Sequence, residues 1–244
     1  MPGFELLRYS DDDTLARAAA NEWLSLVETV HQQGRPQFVA LSGGRIAGSF
    51  FSAVAAAATA RAVSLASVHF FWADERCVPP DHADSNFALA EKFLLRPLKI
   101  SSTRIHRIHG EDPPEAAARA AAAEICRIAP CFKGQPVLDI VFLGMGEDGH
   151  VASLFPGSQD TGHPGDEVYR LVTAPKPPPQ RITISYSTIG VAREVWVLAS
   201  GGGKEQALRR SMSNRVETPL GKVLSQKPSS KIFTDIKLST MGSD

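Results

Sequence analysis

Gln37-Phe38-Val39-Ala40-Leu41-Ser42-Gly43-Gly44-Arg45-Ile46 joins a short apolar run to a hydroxyl, two glycines and an alanine-rich stretch that continues to Arg61. The run has the length of a buried strand, Ser42-Gly43-Gly44 reads as a tight turn, and Ile46 to Arg61 reads as a helix. Strand, glycine turn and helix form the first unit of an α/β fold. Before this unit, Leu15, Ala18, Ala19, Trp23, Leu26, Val27 and Val30 recur at helical spacing behind Asp11, Asp12 and Asp13, until Gly34 stops the helix. After it, Val68 to Trp72, Ile105 to Ile108, Val137 to Leu143, Ile182 to Tyr186, Glu194 to Ala199 and Lys231 to Ile236 are expected strands. Ser85 to Leu95, Pro113 to Ile128 and a segment opening near Gly203-Lys204 are expected helices. Apolar strands alternating with helices predict an open, mostly parallel, Rossmann-like α/β sheet with helices on both faces.

No internal repeat or domain boundary is visible, so residues 1–244 are expected to form a single α/β domain. Proline-rich Ala174 to Gln180 is the best linker candidate, but it runs straight into a strand and reads better as a rigid loop crossing the ends of the sheet.

Composition narrows the function. The 244 residues carry 26 Lys plus Arg against 26 Asp plus Glu, and 43% are hydrophobic. Such a chain buries a real core, and it lacks the basic excess that nucleic acids or anionic membranes demand. Neither partner is expected. Any anion site must be local, built from a few side chains and backbone amides. Cys77, Cys126 and Cys131 are too few and too irregular for a disulfide framework, which points to a reducing, cytoplasmic setting. Met1 to Asp13 has acids where an export signal needs basic residues and then an apolar stretch. Ser49 to Ala60 falls short of the ~20 apolar residues that span a bilayer.

In parallel sheets, ligands gather beyond the carboxyl ends of the strands, and four segments fall there. Ser42-Gly43-Gly44-Arg45 lets the backbone approach a ligand and aims helix-start amides at it, which suits phosphate; the plain alternative is an ordinary strand-to-helix turn. Trp72-Ala73-Asp74-Glu75-Arg76-Cys77-Val78-Pro79-Pro80-Asp81-His82, with Asp84-Ser85-Asn86, reads either as a solvated loop ending in a Ser85 cap or as charged side chains entering a cleft. Gly144-Met145-Gly146-Glu147-Asp148-Gly149-His150 matches G-x-G-x-x-G. Its candidate helix meets Pro156-Gly157 too soon for a dinucleotide site, however, and Glu147 and Asp148 would repel a pyrophosphate. What remains is a carboxylate beside an imidazole, suited to general-base chemistry, against the alternative of a histidine satisfied within its turn. Arg181 and Gly201-Gly202-Gly203-Lys204 add an arginine and a lysine at strand ends, a local cationic pocket for a phosphate monoester. His106, His109, Cys126 and Cys131 lack zinc-ligand spacing, and no G-x-S-x-G elbow exists. Neither metal nor cofactor is expected.

With Ala40-Leu41-Ser42-Gly43-Gly44, the segment Phe70 to His82 with Asp84-Ser85-Asn86, Leu143 to Gly146 with Asp148 to Gly157, Ala174 to Pro179 with Arg181-Ile182-Thr183, and Gly203-Lys204, nearly the whole chain resembles the 6-phosphogluconolactonases. These share their fold with the glucosamine-6-phosphate deaminases. The resemblance implies hydrolysis of a phosphorylated sugar lactone without a metal, by a monomer or small homo-oligomer. It implies His150 as base, oriented by Asp148, with Arg76 or backbone amides of the Gly144 to Gly149 loop, Gly146 included, at the oxyanion. Ser42, Gly43, Gly44, Arg181, Lys204 and Arg45 are expected at the phosphate, and Asp74 beside Arg76 or the sugar hydroxyls. Asp74, Glu75, Glu147 and Asp148 are expected near the reacting carbon. One departure stands out: the family often places Ser-Thr-Pro after its glycines, and here Arg45-Ile46-Ala47 follows. Deaminases supply a further carboxylate within a few residues of the histidine, whereas here the next acid is Asp160. They also follow their Asp-Glu counterpart with an aromatic residue, where this chain has Arg76. Both differences favour the lactonase. A deaminase is the alternative, and a non-catalytic sugar-phosphate sensor, which leaves Asp148 and His150 without a use, is the weakest reading.

Overall fold

The computed structural model describes residues 3–157, 167–213, 216–227 and 229–238. β1 (Phe4–Arg8) leads into α1 (Asp12–Gln32), and β2 (Gln37–Leu41) into α2 (Arg45–Arg61). β3 (Val68–Trp72) is followed by β4 (Asp74–Arg76) and α3 (Asn86–Ala90), which widens into a π-helical turn, Glu91–Leu95. Next come α4 (Pro114–Ile128), the short strands β5 (Cys131–Phe132) and β6 (Gln135–Pro136), and β7 (Ile140–Gly144). β8 (Tyr169–Thr173), β9 (Gln180–Ile184), α5 (Tyr186–Val191), β10 (Glu194–Ala199), α6 (Glu205–Met212), α7 (Pro219–Gln226) and β11 (Ser230–Thr234) complete the order.

Six strands pair in parallel in the order β1-β11-β10-β7-β2-β3. Every residue of β2 and β3 is buried. Neighbours along a strand point to opposite faces, so both faces of the sheet are covered, as the alternation of elements predicts. α1 forms because Asp11 caps it, its carboxylate accepting the Thr14 N–H at 2.7 Å, and because Leu15, Ala19, Trp23, Val27 and Val30 share its buried face. Trp23 anchors the core between helix and sheet. Its ring meets Phe142 with centroids 5.0 Å apart, and its Nε1 donates to Gln37 Oε1 at 3.0 Å, so no polar atom is stranded. Asp139, the lone acid in the expected strand Val137 to Leu143, is buried and useful: it accepts the Phe38 N–H at 2.8 Å and Arg35 Nη1 at 2.9 Å, tying the entries of β2 and β7 together.

Several expectations are corrected. Asp74–Arg76 is not a loop. It pairs antiparallel with β9, which pairs with β8, in a second three-stranded sheet. The strand expected at Ile182 to Tyr186 starts at Gln180 and belongs to that small sheet, and Ser185 already caps α5. Ala174 to Gln180 is neither linker nor loop across the main sheet; it turns β8 back into β9. Ile105 to Ile108 makes only an isolated bridge from Ile105 to Phe70. Over the described residues 151–157 no helix forms, and Val151 and Leu154 make a bridge instead. Among the described residues, no helix is long and apolar enough to cross a membrane.

Candidate active site

From β2 the chain moves outward to β3, and from β7 it moves the other way to β10 and β11, so the strand order reverses between β2 and β7. Loops diverging at such a point leave a crevice beyond the carboxyl ends of the strands. There a cleft of about 140 Å³ is lined by Ser42, Gly43, Gly44, Arg45, Asp74, Arg76, Gly144, Gly146, His150, Arg181 and Lys204. The sequence singled out all of these; Asp148 stands behind His150. Ile46, Asn86, Met145, Ala152 and Ser200 also line the cleft and were not foreseen. Asn86 and Met145 lie within the motifs quoted above, but only the folded chain shows which motif positions face the cleft.

Gly44 begins α2 at φ 98°, a left-handed conformation that favours glycine, and no side chain caps the helix. Its first turn, which carries no acid, offers amides to an anion. Arg45, the first residue of α2, donates from Nη1 to Asp12 at 2.8 Å and from Nη2 to Ser200 Oγ at 3.5 Å. Ser42 contributes less than expected, because its hydroxyl hydrogen is engaged by the Phe142 carbonyl at 2.8 Å. Lys204 stands at the opening of α6. Burial, and then Arg45, push its pKa below the usual lysine value, against the opposing pull of Glu147 and Asp235.

The small sheet forms the opposite wall. Arg76 and Arg181 are direct cross-strand partners, a like-charged pairing unfavourable without an anion between them. Arg181 Nε donates to the Pro178 carbonyl at 3.1 Å, and burial followed by the Arg76 charge lowers its pKa. Arg76 Nη1 donates to the Asp84 carbonyl at 2.6 Å, so Asp74 does not orient it. Asp74 is buried and accepts Ser153 Oγ at 2.7 Å and Asn86 Nδ2 at 3.2 Å. Glu75 points away from the cleft, correcting its expected place near the reacting carbon. It accepts the Asn86 and Phe87 N–H groups at 2.7 and 2.8 Å, closing the start of α3, and burial raises its pKa despite these bonds. The period of two along a strand explains the split: Asp74 and Arg76 face one way and Glu75 the other.

The glycine loop carries the pair suited to proton transfer. His150 Nδ1 lies 2.6 Å from Asp148 Oδ1, which also accepts the His150 backbone N–H at 3.1 Å. A carboxylate only accepts, so Nδ1 holds the proton, and in the neutral ring the lone pair is on Nε2. Burial alone would raise the Asp148 carboxyl, but the bonds from His150 outweigh it and hold the pKa below the usual value. Gly146 makes room for the ring: a Cβ there would lie 2.1 Å from His150 Cε1. Among the described residues, no three His, Cys, Asp or Glu side chains converge as metal ligands would.

The family model described as glucosamine-6-phosphate isomerases/6-phosphogluconolactonase matches residues 10–233. The chain belongs to this family. It is 32% identical over 225 residues to the 6-phosphogluconolactonase of Streptomyces coelicolor, covering 87% of this chain and 84% of that one. With the 6-phosphogluconolactonase of Treponema pallidum it is 41% identical over 142 residues, a match spanning 58% of either chain. The solved structure of 6-phosphogluconolactonase from Trypanosoma brucei superposes with a TM-score of 0.84 at 26% identity, over 94% of this chain and 95% of that one. A monomeric glucosamine-6-phosphate deaminase shares the fold at TM-score 0.80 and 16% identity, covering 94% of this chain and 96% of that one. Within this isomerase/lactonase family, the local difference after Asp74-Glu75 now has a place: Arg76 stands in the cleft wall, opposite Arg181. Asp160, the next acid after His150, lies outside the described residues.

Proposed function

We propose that the cleft hydrolyses 6-phosphoglucono-δ-lactone to 6-phosphogluconate, in a reducing cytoplasm and with residues of one chain. One observation carries this reading: an imidazole fixed at Nδ1 by Asp148, its Nε2 unspent, on a cleft that Arg45, Arg76, Arg181 and Lys204 also line. A δ-lactone is an activated ester, so a positioned water, a base and an oxyanion partner suffice without a metal. His150 Nε2 takes a proton from water as its oxygen attacks C1, and Asp148 stabilises the imidazolium that forms. Arg76 balances the tetrahedral oxyanion; the Gly146 N–H, expected there, is instead given to the His150 carbonyl at 2.9 Å, and the Gly149 N–H to the Gly146 carbonyl at 3.1 Å. As the C1–ring oxygen bond breaks, the imidazolium returns its proton to that oxygen, and the carboxylic acid product then ionises. The α2 amides, Arg45, Arg181 and Lys204 hold the 6-phosphate, and that remote binding positions the carbonyl.

Because the lactone also opens spontaneously, the test is the rate above background, with ammonia release from glucosamine 6-phosphate followed in parallel. Acid release from the lactone alone supports the proposal. Ammonia release alone means the chain is a deaminase, and absence of both overturns an enzymatic role. Equal turnover of phosphorylated and unphosphorylated lactone would remove the phosphate pocket.

A further inference from the structure

Phe155 touches both chemically active ends of the cleft without lining it. Its ring centroid lies 4.9 Å from that of His150, with the planes inclined by 46°. The Arg181 guanidinium carbon lies 5.7 Å from the same ring centroid. We propose that Phe155 is a positioning residue, a shared aromatic platform that keeps the His150 imidazole and the Arg181 guanidinium in register, so that an occupied anion site is felt at the base. This rests on the reading of His150 as base and Arg181 as phosphate ligand.

Three contacts define the His150 ring. Asp148 holds Nδ1, and Gly146 provides room beside Cε1, but neither stops the ring from tilting about the Nδ1···Oδ1 axis. An aromatic neighbour does, because tilting forfeits its packing. On the other side the guanidinium is drawn to the negative face of the same ring. Its hydrogen bonds at Nε and Nη2 go to the Pro178 and Lys176 carbonyls of the β8–β9 turn, so Arg181 is fixed at two points by its own hairpin and at a third by Phe155. The chain from His150 to Phe155 is pinned to the same wall at Ser153, whose N–H donates to Thr183 Oγ1 at 3.2 Å and whose hydroxyl donates to Asp74 at 2.7 Å. His150, Phe155 and Arg181 therefore move as one body, although the glycine loop follows the parallel sheet and Arg181 belongs to the antiparallel one.

The experiment compares turnover of phosphorylated and unphosphorylated lactone by Phe155→Leu, Phe155→Tyr, Arg181→Ala and the Phe155→Leu/Arg181→Ala double variant. Phe155→Leu is expected to lower kcat about tenfold on both substrates and to raise KM about threefold on the phosphorylated one only, while Phe155→Tyr returns both to within about twofold of wild type. Arg181→Ala is expected to slow even the unphosphorylated lactone about threefold, and to add nothing on that substrate once Phe155 is leucine. A wild-type kcat in Phe155→Leu, full turnover of the unphosphorylated lactone by Arg181→Ala, or simple additivity overturns the platform. Should Phe155→Leu fail to fold, Arg181→Ala on the unphosphorylated lactone decides by itself. If the wild-type chain turns over neither lactone, the functional reading has failed, and the platform is judged from the His150 ring-proton resonances: a shift in Arg181→Ala supports it, and unmoved signals overturn it.

Discussion

Among the described residues, two imidazole rings are hydrogen-bonded to a carboxylate side chain. His150 Nδ1 meets Asp148 at 2.6 Å, and His106 Nδ1 meets Glu124 at 2.8 Å, so distance does not separate them. Their second nitrogens do. His106 Nε2 is bonded to His69 Nδ1 at 2.9 Å, and His69 Nε2 takes a bond from Arg104. Arg104 can only donate, which fixes every proton along the row: His69 Nδ1–H donates to His106 Nε2, and His106 Nδ1–H donates to Glu124. All four ring nitrogens are spent, the rings are stacked with centroids 5.2 Å apart, and burial lowers both histidine pKa values, that of His69 to about 4. His106 also borders a larger cavity, of about 920 Å³, together with Phe87 and Glu91, but it brings no free lone pair to it. A base is thus recognised by the nitrogen left over beside a cleft. The carboxylate partner alone does not identify it.

Removing each imidazole should separate the two pairs most widely. His150→Ala should lower lactone turnover about 10²–10⁴-fold, whereas His106→Gln should leave kcat/KM within about twofold; a comparable loss in both would erase the distinction. Asp148→Asn should cost about 10²-fold in kcat with little change in KM, because the amide accepts the Nδ1–H less well and no longer stabilises an imidazolium. Gly146→Ala should cost about tenfold or more, since the added Cβ occupies the space of the His150 ring, while the melting temperature moves by only a few degrees. Normal kcat in that variant would show that the ring does not need its observed position. The smallest effect is on stability. His69 is protonated in the unfolded chain near pH 6.5 but in the fold only near pH 4. As pH falls through this window the unfolded state binds the proton first, so stability declines from about pH 6.5 to about 4 and then levels off. Thermal unfolding midpoints across that range should show the slope, and His69→Gln should flatten it.

The parallel sheet was legible because its signal is local: five-residue apolar runs such as Gln37–Leu41, punctuated by Gly43-Gly44 and followed by helices. The small sheet was not. Asp74-Glu75-Arg76 has no apolar residue, and its strand character depends on a partner at Arg181-Ile182-Thr183. β1 was missed for a related reason, since Phe4–Arg8 pairs only with β11 far along the chain. At the site, Asp148 and His150 could be read from their spacing, and Arg181 and Lys204 from their places after proline and glycine punctuation. The part played by Asn86 is not legible in the sequence, because its side chain reaches Asp74 only after α3 folds back over β4. Glu75 was misplaced because its neighbours, not its charge, decide the direction in which it points.

The pairing of Phe4 with Ser230 carries a consequence for the growing polypeptide. Of the six strands in the main sheet β1 is made first, and the strand it must lie beside is made last. Throughout synthesis β1 is an unpaired ribbon, and β10 presents an open edge until β11 arrives to fill the gap between them. A product cut short before β11 therefore loses its seam at both ends together, and it offers quality-control proteases an apolar strand that the finished enzyme keeps covered.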